Sequence, residues 1–290
     1  MIRYPVPENL PAELDRESKG WTASAAARTR KIVKARRFND PSPIWSKVKR
    51  VYIRLQHGKC AFCEKKLEGA DFGAIEHDVE HFRPKSEVKV WPDAAARKRG
   101  VAPAFATGPA SPRGYYWLAY EPLNYMTACK TCNSVLKSSA FPIAGARAKH
   151  NTPVAGLRRE KPFLLYPLGT LDDDPESILG FIGVAPTVLP KADYERRRGA
   201  ITIDFFALDI REELLRGRAE QISAYWYTRQ QAQLMSGAMR AVAERRVAQM
   251  IGDKNPHASA VRCFARLCDS EPAFAAQVFE AVTKVLNAES

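Results

Sequence analysis

Apolar and polar positions follow several different rhythms along this 290-residue chain. Ile44, Val48, Val51, Tyr52 and Leu55 recur at helical spacing, which predicts an amphipathic helix ending at Gly58. The Ala/Arg/Lys-rich stretch from Trp21 to about Arg37 also favours helix. Between them "NDPSP" (39–43) is a break, with Asp40 or Ser42 placed to cap the second of these helices. Pro5, Pro7 and Pro11 predict a loop-like or extended opening. At residues 75–82 the period shortens: Ile75, His77 and Val79 alternate with acidic residues, so this stretch predicts a strand, which Pro84 ends.

Farther on, residues 87–114 carry four prolines and three glycines with little periodicity, predicting a mobile, basic insertion. "YYWLAYEPLNYM" (115–126) suits a short helix or buried segment, with Tyr115, Tyr116, Trp117 and Tyr120 expected under a core. "TCNSVLKSSAFP" (131–142) predicts a helix stopping before Pro142. Residues 144–160 look loop-like, and 162–186 suggest short strands and turns. "ITIDFF" (201–206) predicts a strand that leads into one long helix or two, and a last helical stretch runs from about His257 to Leu286. The helical face between 205 and 250 is expected to form core or to bind a partner, with Tyr225 and Trp226 as interface anchors. The resulting fold class is α+β, mostly helical. It divides into an N-terminal helical arm (1–57), a core (58–145) and a mainly helical C-terminal domain (146–290).

Charge sharpens this picture. Lys and Arg number 45 against 32 Asp and Glu, a net +13 that favours a polyanionic partner. The cations cluster at 27–37, 96–100 and 194–199, though a solvated face is the plainer explanation of each. No apolar run approaches the roughly 18 residues of a membrane span, and no secretory h-region is visible, so no membrane association and a cytoplasmic location are expected. There thiols stay reduced, and paired cysteines bind metal more often than they form disulfides.

Cys60, Cys63, Cys129 and Cys132 form two C-x2-C pairs with 65 residues between them. Two such knuckles supply the four thiolates of a tetrahedral structural zinc and clamp distant parts of the chain together. Cys263 and Cys268 lie outside that pattern. Between the pairs, Glu80 and His81 fall at the end of the predicted strand, where both can serve one site only if the backbone twists or bulges. With Asn133, Glu80 offers hard oxygens to Mg2+ or Mn2+, and a neutral His81 can take a proton from an attacking water. Lys137, one helical turn past Asn133, can touch phosphate, and Arg83 and Lys85 are assigned to the substrate with it. His77 is expected to be structural, and His57 to favour a helix C-terminus.

C-x2-C, then "EHFRPK", then "YYWLAYEPLNYMTACKTCN-x3-K" and "FP", resembles the HNH (ββα-metal) endonucleases, in particular the subgroup with the HNH subunit of Septu-type anti-phage systems. The likeness is strong over about 44–142 and weaker beyond. It implies a two-stranded hairpin packed on a helix, with strands near 75–82 and 123–127 and the helix from about Cys132. It also implies His81 as general base, Glu80 and Asn133 as ligands of the catalytic cation, and Asn124 as a brace that orients the histidine. Implied in addition are DNA as substrate and a partner ATPase that licenses cutting. Glu80 stands where many HNH proteins have Asp. Two other functions are open on the residues alone: a zinc-stapled nucleic-acid-binding module without catalysis, and an RNA-cleaving toxin.

Overall fold

The computed structural model describes residues 1–288 apart from 70, 72 and 74. The opening is not a loop throughout. Tyr4 pairs with Leu168, and α1 (Leu10–Glu17) comes next. Pro11 sits in the first turn of α1, where its missing N–H would have had no helical partner. Helix α2 (Trp21–Ala35) and α3 (Lys49–Leu55) occupy the expected stretches, with a short 3-10 turn at Trp45–Val48 leading into α3.

Strand β1 (His77–His81) pairs antiparallel with β2 (Tyr125–Cys129), setting His77 opposite Cys129, Glu80 opposite Met126 and His81 opposite Tyr125. Ile75 lies before the strand and is 81% exposed, so the strand is shorter than the alternation predicted. Directly after β2 the chain enters a wide helical turn, Thr131–Lys137. It is a π-helix, and the Ser138 N–H bonds the Asn133 carbonyl at 2.6 Å. The insertion expected to be mobile is instead packed down. It carries α4 (Ala94–Lys98), capped by Asp93, and its Val88 and Trp91 are buried, Trp91 against Phe205.

A small hairpin, β3 (Leu179–Ile182) with β4 (Ala185–Val188), precedes the helical part. There "ITIDFF" belongs to α5 (Asp193–Phe206), not to a strand. Its β-branched residues are buried by tertiary packing, which overrides local β preference. Helices α6 (Glu212–Leu234), α7 (Gly237–Met250), α8 (Ala258–Ser270) and α9 (Pro272–Asn287) complete the chain, α8 and α9 being separated where Pro272 restarts the helix.

Two apolar cores result. The larger runs from the N-terminal residues through the hairpin to Leu214, with Ala258 at its edge; the smaller is built from α6, α7, α8 and α9. Tyr225 is 2% exposed and Trp226 stacks on Phe279 inside that smaller core, so neither is an exposed interface anchor. The aromatic run at 115–120 is packed as expected, with Tyr115, Tyr116 and Tyr120 buried. Among the described residues, no helix is long and apolar enough to cross a membrane.

Candidate metal centre and the hairpin site beside it

The first cysteine pair comes after α3 through Gly58, whose φ of +66° is left-handed backbone that glycine adopts without steric cost. The knuckle then closes through Cys60 N–H to the Lys65 carbonyl at 3.0 Å and Glu64 N–H to the Cys60 carbonyl at 3.1 Å. Buried Gln56 stitches it to β2, donating to the Thr127 carbonyl at 2.8 Å and accepting from the Thr127 N–H at 2.7 Å. Cys129 ends β2, and Cys132 lies in the first turn of the π-helix. All four sulfurs are buried and lie within 4.8 Å of one another, with Cys63 and Cys129 3.9 Å apart. Four sulfurs around a tetrahedral zinc at about 2.3 Å would be about 3.8 Å apart, so the cluster fits that ion. Hydrogen bonds from Cys132, Cys60 and Cys63 hold the Cys129 thiol below its ordinary range, whereas burial pushes Cys132 up and the hydrogen bond with Cys129 raises Cys63. Arg211, which the sequence did not single out, donates to Cys132 Sγ at 3.2 Å. Seventy-nine residues separate the two, so no local pattern announces it.

The same clamp places the end of β1. His81 is 5% exposed, and its Nε2 lies 3.1 Å from the Ala119 carbonyl. A carbonyl only accepts, so Nε2 carries the proton and Nδ1 the lone pair. Burial pushes His81 well below the ordinary imidazole value, and the Lys85 and Lys137 ammoniums push the same way, so the ring is neutral near pH 7. Two rings meet it edge to face, Trp45 at 4.8 Å and Tyr125 at 5.0 Å.

Asn124 holds the turn after β1. Its Oδ1 accepts from the Arg83 N–H at 2.8 Å, and its Nδ2 donates to the carbonyls of Arg83 and Leu118 at 3.0 and 3.3 Å. One side chain thus ties the end of β1 to the segment whose Ala119 carbonyl accepts the His81 hydrogen bond. Gly114 lets the chain close there, since a Cβ would lie 2.6 Å from the Pro84 carbonyl oxygen.

The three cations assigned to substrate separate in space. Lys137 is fully buried; it forms an ion pair with Glu80 and donates to the His81 carbonyl at 3.1 Å. Arg83 is 6% exposed and turned inward, bonded to Glu160 at 3.0 Å and the Leu157 carbonyl at 3.1 Å. Neither faces solvent, because each neutralises or satisfies a buried group. Lys85 is half-buried, its Nζ 4.7 Å from the Trp45 ring centre and 5.4 Å from that of Phe38. Asn133 is half-buried at the start of the π-helix, four residues before Lys137.

Glu80, 3% exposed, is raised by burial, and Lys137 opposes that rise. His77 is wholly buried with Nε2 against the Glu68 carbonyl at 2.9 Å, a structural placement. Trp45 was missed because it lies in the 3-10 turn before α3, where local spacing does not show that it faces His81.

Fold and site define a protein with a cluster of four cysteines that could hold a metal ion, beside an antiparallel hairpin and helix. The chain is similar to Septu protein PtuB of Bacillus mycoides (strain KBAB4), 29% identical over 208 residues. The match covers 71% of this chain and 61% of that protein, so it spans about three fifths of the relative. No known family profile matches the chain, and no solved structure does.

Proposed function

We propose that the chain is a metal-dependent endonuclease that hydrolyses phosphodiester bonds of DNA, acting as the effector of an anti-phage defence system beside an ATPase partner. One observation carries the chemistry: a buried, neutral His81 whose Nε2–H donates a hydrogen bond to the Ala119 carbonyl and whose Nδ1 keeps a lone pair, next to the buried carboxylate Glu80. The order strand, strand, helix, with the four-cysteine cluster behind it, supports assigning the site to the HNH type. Likeness to a Septu protein supports the defence role.

In this proposal His81 Nδ1 accepts the proton of the attacking water. The Ala119 carbonyl holds the imidazole in that tautomer, Asn124 braces the neighbouring backbone at Arg83 and Leu118, and the Trp45 and Tyr125 rings fix the imidazole plane. Glu80 and Asn133 carry the hard oxygens a divalent cation prefers, and such a cation would have to displace the Lys137 ammonium from the Glu80 carboxylate. Bound Mg2+ or Mn2+ would stabilise charge on the scissile phosphate and the leaving oxygen. Lys85 would contact phosphate, whereas Arg83 and Lys137 serve the frame.

The test is purified wild type and His81→Ala, matched for zinc content, on plasmid DNA and on RNA with Mg2+ or Mn2+. DNA cleavage by wild type only is the expected result. Equal cleavage by both would remove His81 as the base, and cleavage of RNA alone would replace the substrate. A second proposal, a binding module without catalysis, is favoured by one contact: the ammonium of Lys137 already occupies the Glu80 carboxylate. Tight DNA binding with no cleavage, even with the partner present, would decide for it.

A further inference from the structure

Trp45 belongs to the N-terminal segment, outside the hairpin and helix, yet it touches two groups of the site. Its edge meets the His81 ring with centroids 4.8 Å apart and planes at 88°. Over its face lies the Lys85 ammonium, 4.7 Å from the ring centre. Phe38, with its ring centre 5.8 Å from that of Trp45, flanks the same cation at 5.4 Å. Among the described residues, Lys85 has no ion pair, unlike Lys137 and Arg83 close by. An ammonium that rests on two aromatic faces with no carboxylate at ion-pair distance is held in place without being paired; Glu80 acts on it only from farther off.

The seat itself is fixed. Trp21 Nε1 donates to the Ile44 carbonyl at 2.9 Å, one residue before Trp45. Asp40 takes Arg28 Nη1 at 2.6 Å and the Tyr120 hydroxyl, pinning the loop between Phe38 and Trp45 to α2 and to the aromatic run. Tyr120 packs on Trp45 at 5.8 Å from beneath. Two separate elements, α2 and the aromatic run, therefore hold the loop that carries Trp45.

We infer that Trp45 and Phe38 form an aromatic seat that presents the Lys85 ammonium beside His81 as an anion contact for a phosphodiester oxygen, with Trp45 the positioning residue for both. This rests on the site proposed above for its substrate class, though not on turnover. It makes the site composite: the hairpin supplies the imidazole, and the N-terminal arm sets the place of the cation. A cation–π seat suits this task better than an ion pair, because a carboxylate would compete with the incoming phosphate, whereas a ring face does not.

The experiment reads position, binding and cleavage separately. Lysines of the zinc-loaded protein are reductively methylated with 13C-formaldehyde, and Lys85 is identified by its absence in Lys85→Met. In wild type the Lys85 methyl signal should be shifted upfield by the Trp45 ring. Trp45→Leu should remove that shift, and Trp45→Phe should keep part of it. Affinity for a short fluorescent DNA duplex should fall about 3- to 10-fold in both Trp45→Leu and Lys85→Met, the range expected for losing one partly desolvated cation–π contact and one phosphate contact. No additional loss is expected in the double variant, since both changes remove the same contact. An unshifted Lys85 signal in wild type, or DNA affinity unchanged in Lys85→Met, overturns the inference. Wild type that binds DNA through Lys85 but never cuts leaves the seat standing and removes only the nuclease.

Discussion

The ammonium of Lys137 lies 2.5 Å from Glu80 Oε1, with 0% and 4% of the two side chains exposed. Each charge is the reason the other can stay buried. Truncating one partner strands the other, which typically costs about 3–5 kcal/mol. Lys137→Met is therefore expected to destabilise the fold in urea titrations by about that amount and to drive the Glu80 carboxyl further up toward its protonated form. Glu80→Gln combined with Lys137→Met should recover most of the loss; a strictly additive double variant would show that the pair is not coupled.

The metal centre should depend on a residue far from it in sequence. Cys63→Ser is expected to abolish stoichiometric zinc. Arg211→Ala keeps all four sulfurs but loses the 3.2 Å donor to Cys132 Sγ. Outer contacts of this kind are typically worth about 10- to 100-fold in metal affinity, and a chromogenic chelator competing for the ion would measure the change. Zinc retention equal to wild type would reduce that contact to packing.

Acid should weaken the protein through His257. Burial, with Arg218 adding to it, pushes this side chain down to about 3, and Gly217 makes its room, since a Cβ there would lie 2.8 Å from His257 Nε2. The unfolded chain protonates His257 at about 6.5, so between these values the unfolded state binds more protons and stability falls as pH falls. From about pH 7 to about pH 5.5 the group should remove about 1.2 kcal/mol of unfolding free energy. His257→Gln should flatten the pH dependence by that amount in urea titrations; an unchanged slope would mean the side chain titrates normally in the fold.

Arg198 tests how basic runs should be read. Of "RRR" at 196–198, Arg196 is exposed and Arg197 is half-buried over the Phe105 ring, while Arg198 is 1% exposed, paired to Asp172 and, at 2.9 Å, to Asp173. Arg198→Ala should cost about 3–5 kcal/mol, and Arg198→Lys should rescue it poorly because one ammonium cannot replace a guanidinium fork. Arg196→Ala should not shift the melting temperature noticeably, and any sizeable shift would contradict its exposure.

What was legible in the sequence is what local spacing controls. The cysteine knuckles, the strand before Pro84 and the helix after Cys129 each arise from a few adjacent residues. The end of β1 and the cysteine cluster therefore stand where the pattern put them, whereas β2 begins at Tyr125, two residues later than the strand expected near 123–127, and leaves Asn124 in the turn before it. Long-range neutralisation was not legible. Lys137 and Arg83 look like substrate cations on the chain, yet each answers a buried carboxylate, Glu80 or Glu160, from another segment. The strand expected at "ITIDFF" failed for a related reason: burial of α5 on several sides leaves no clean period to read. Trp45 stayed hidden because its partners, His81 and Lys85, lie on a later part of the chain.

Helix α6 begins one residue after Arg211 and runs for 23 residues, about 35 Å at 1.5 Å per residue. Its first turn places Leu214 in the larger core, and its next turns place Ala219, Ile222 and Tyr225 in the smaller one. It is thus a connecting rod with one end at a cysteine sulfur and the other among the C-terminal helices. Whatever grips those helices and slides the rod along its axis must carry Arg211 with it, and so tug at Cys132.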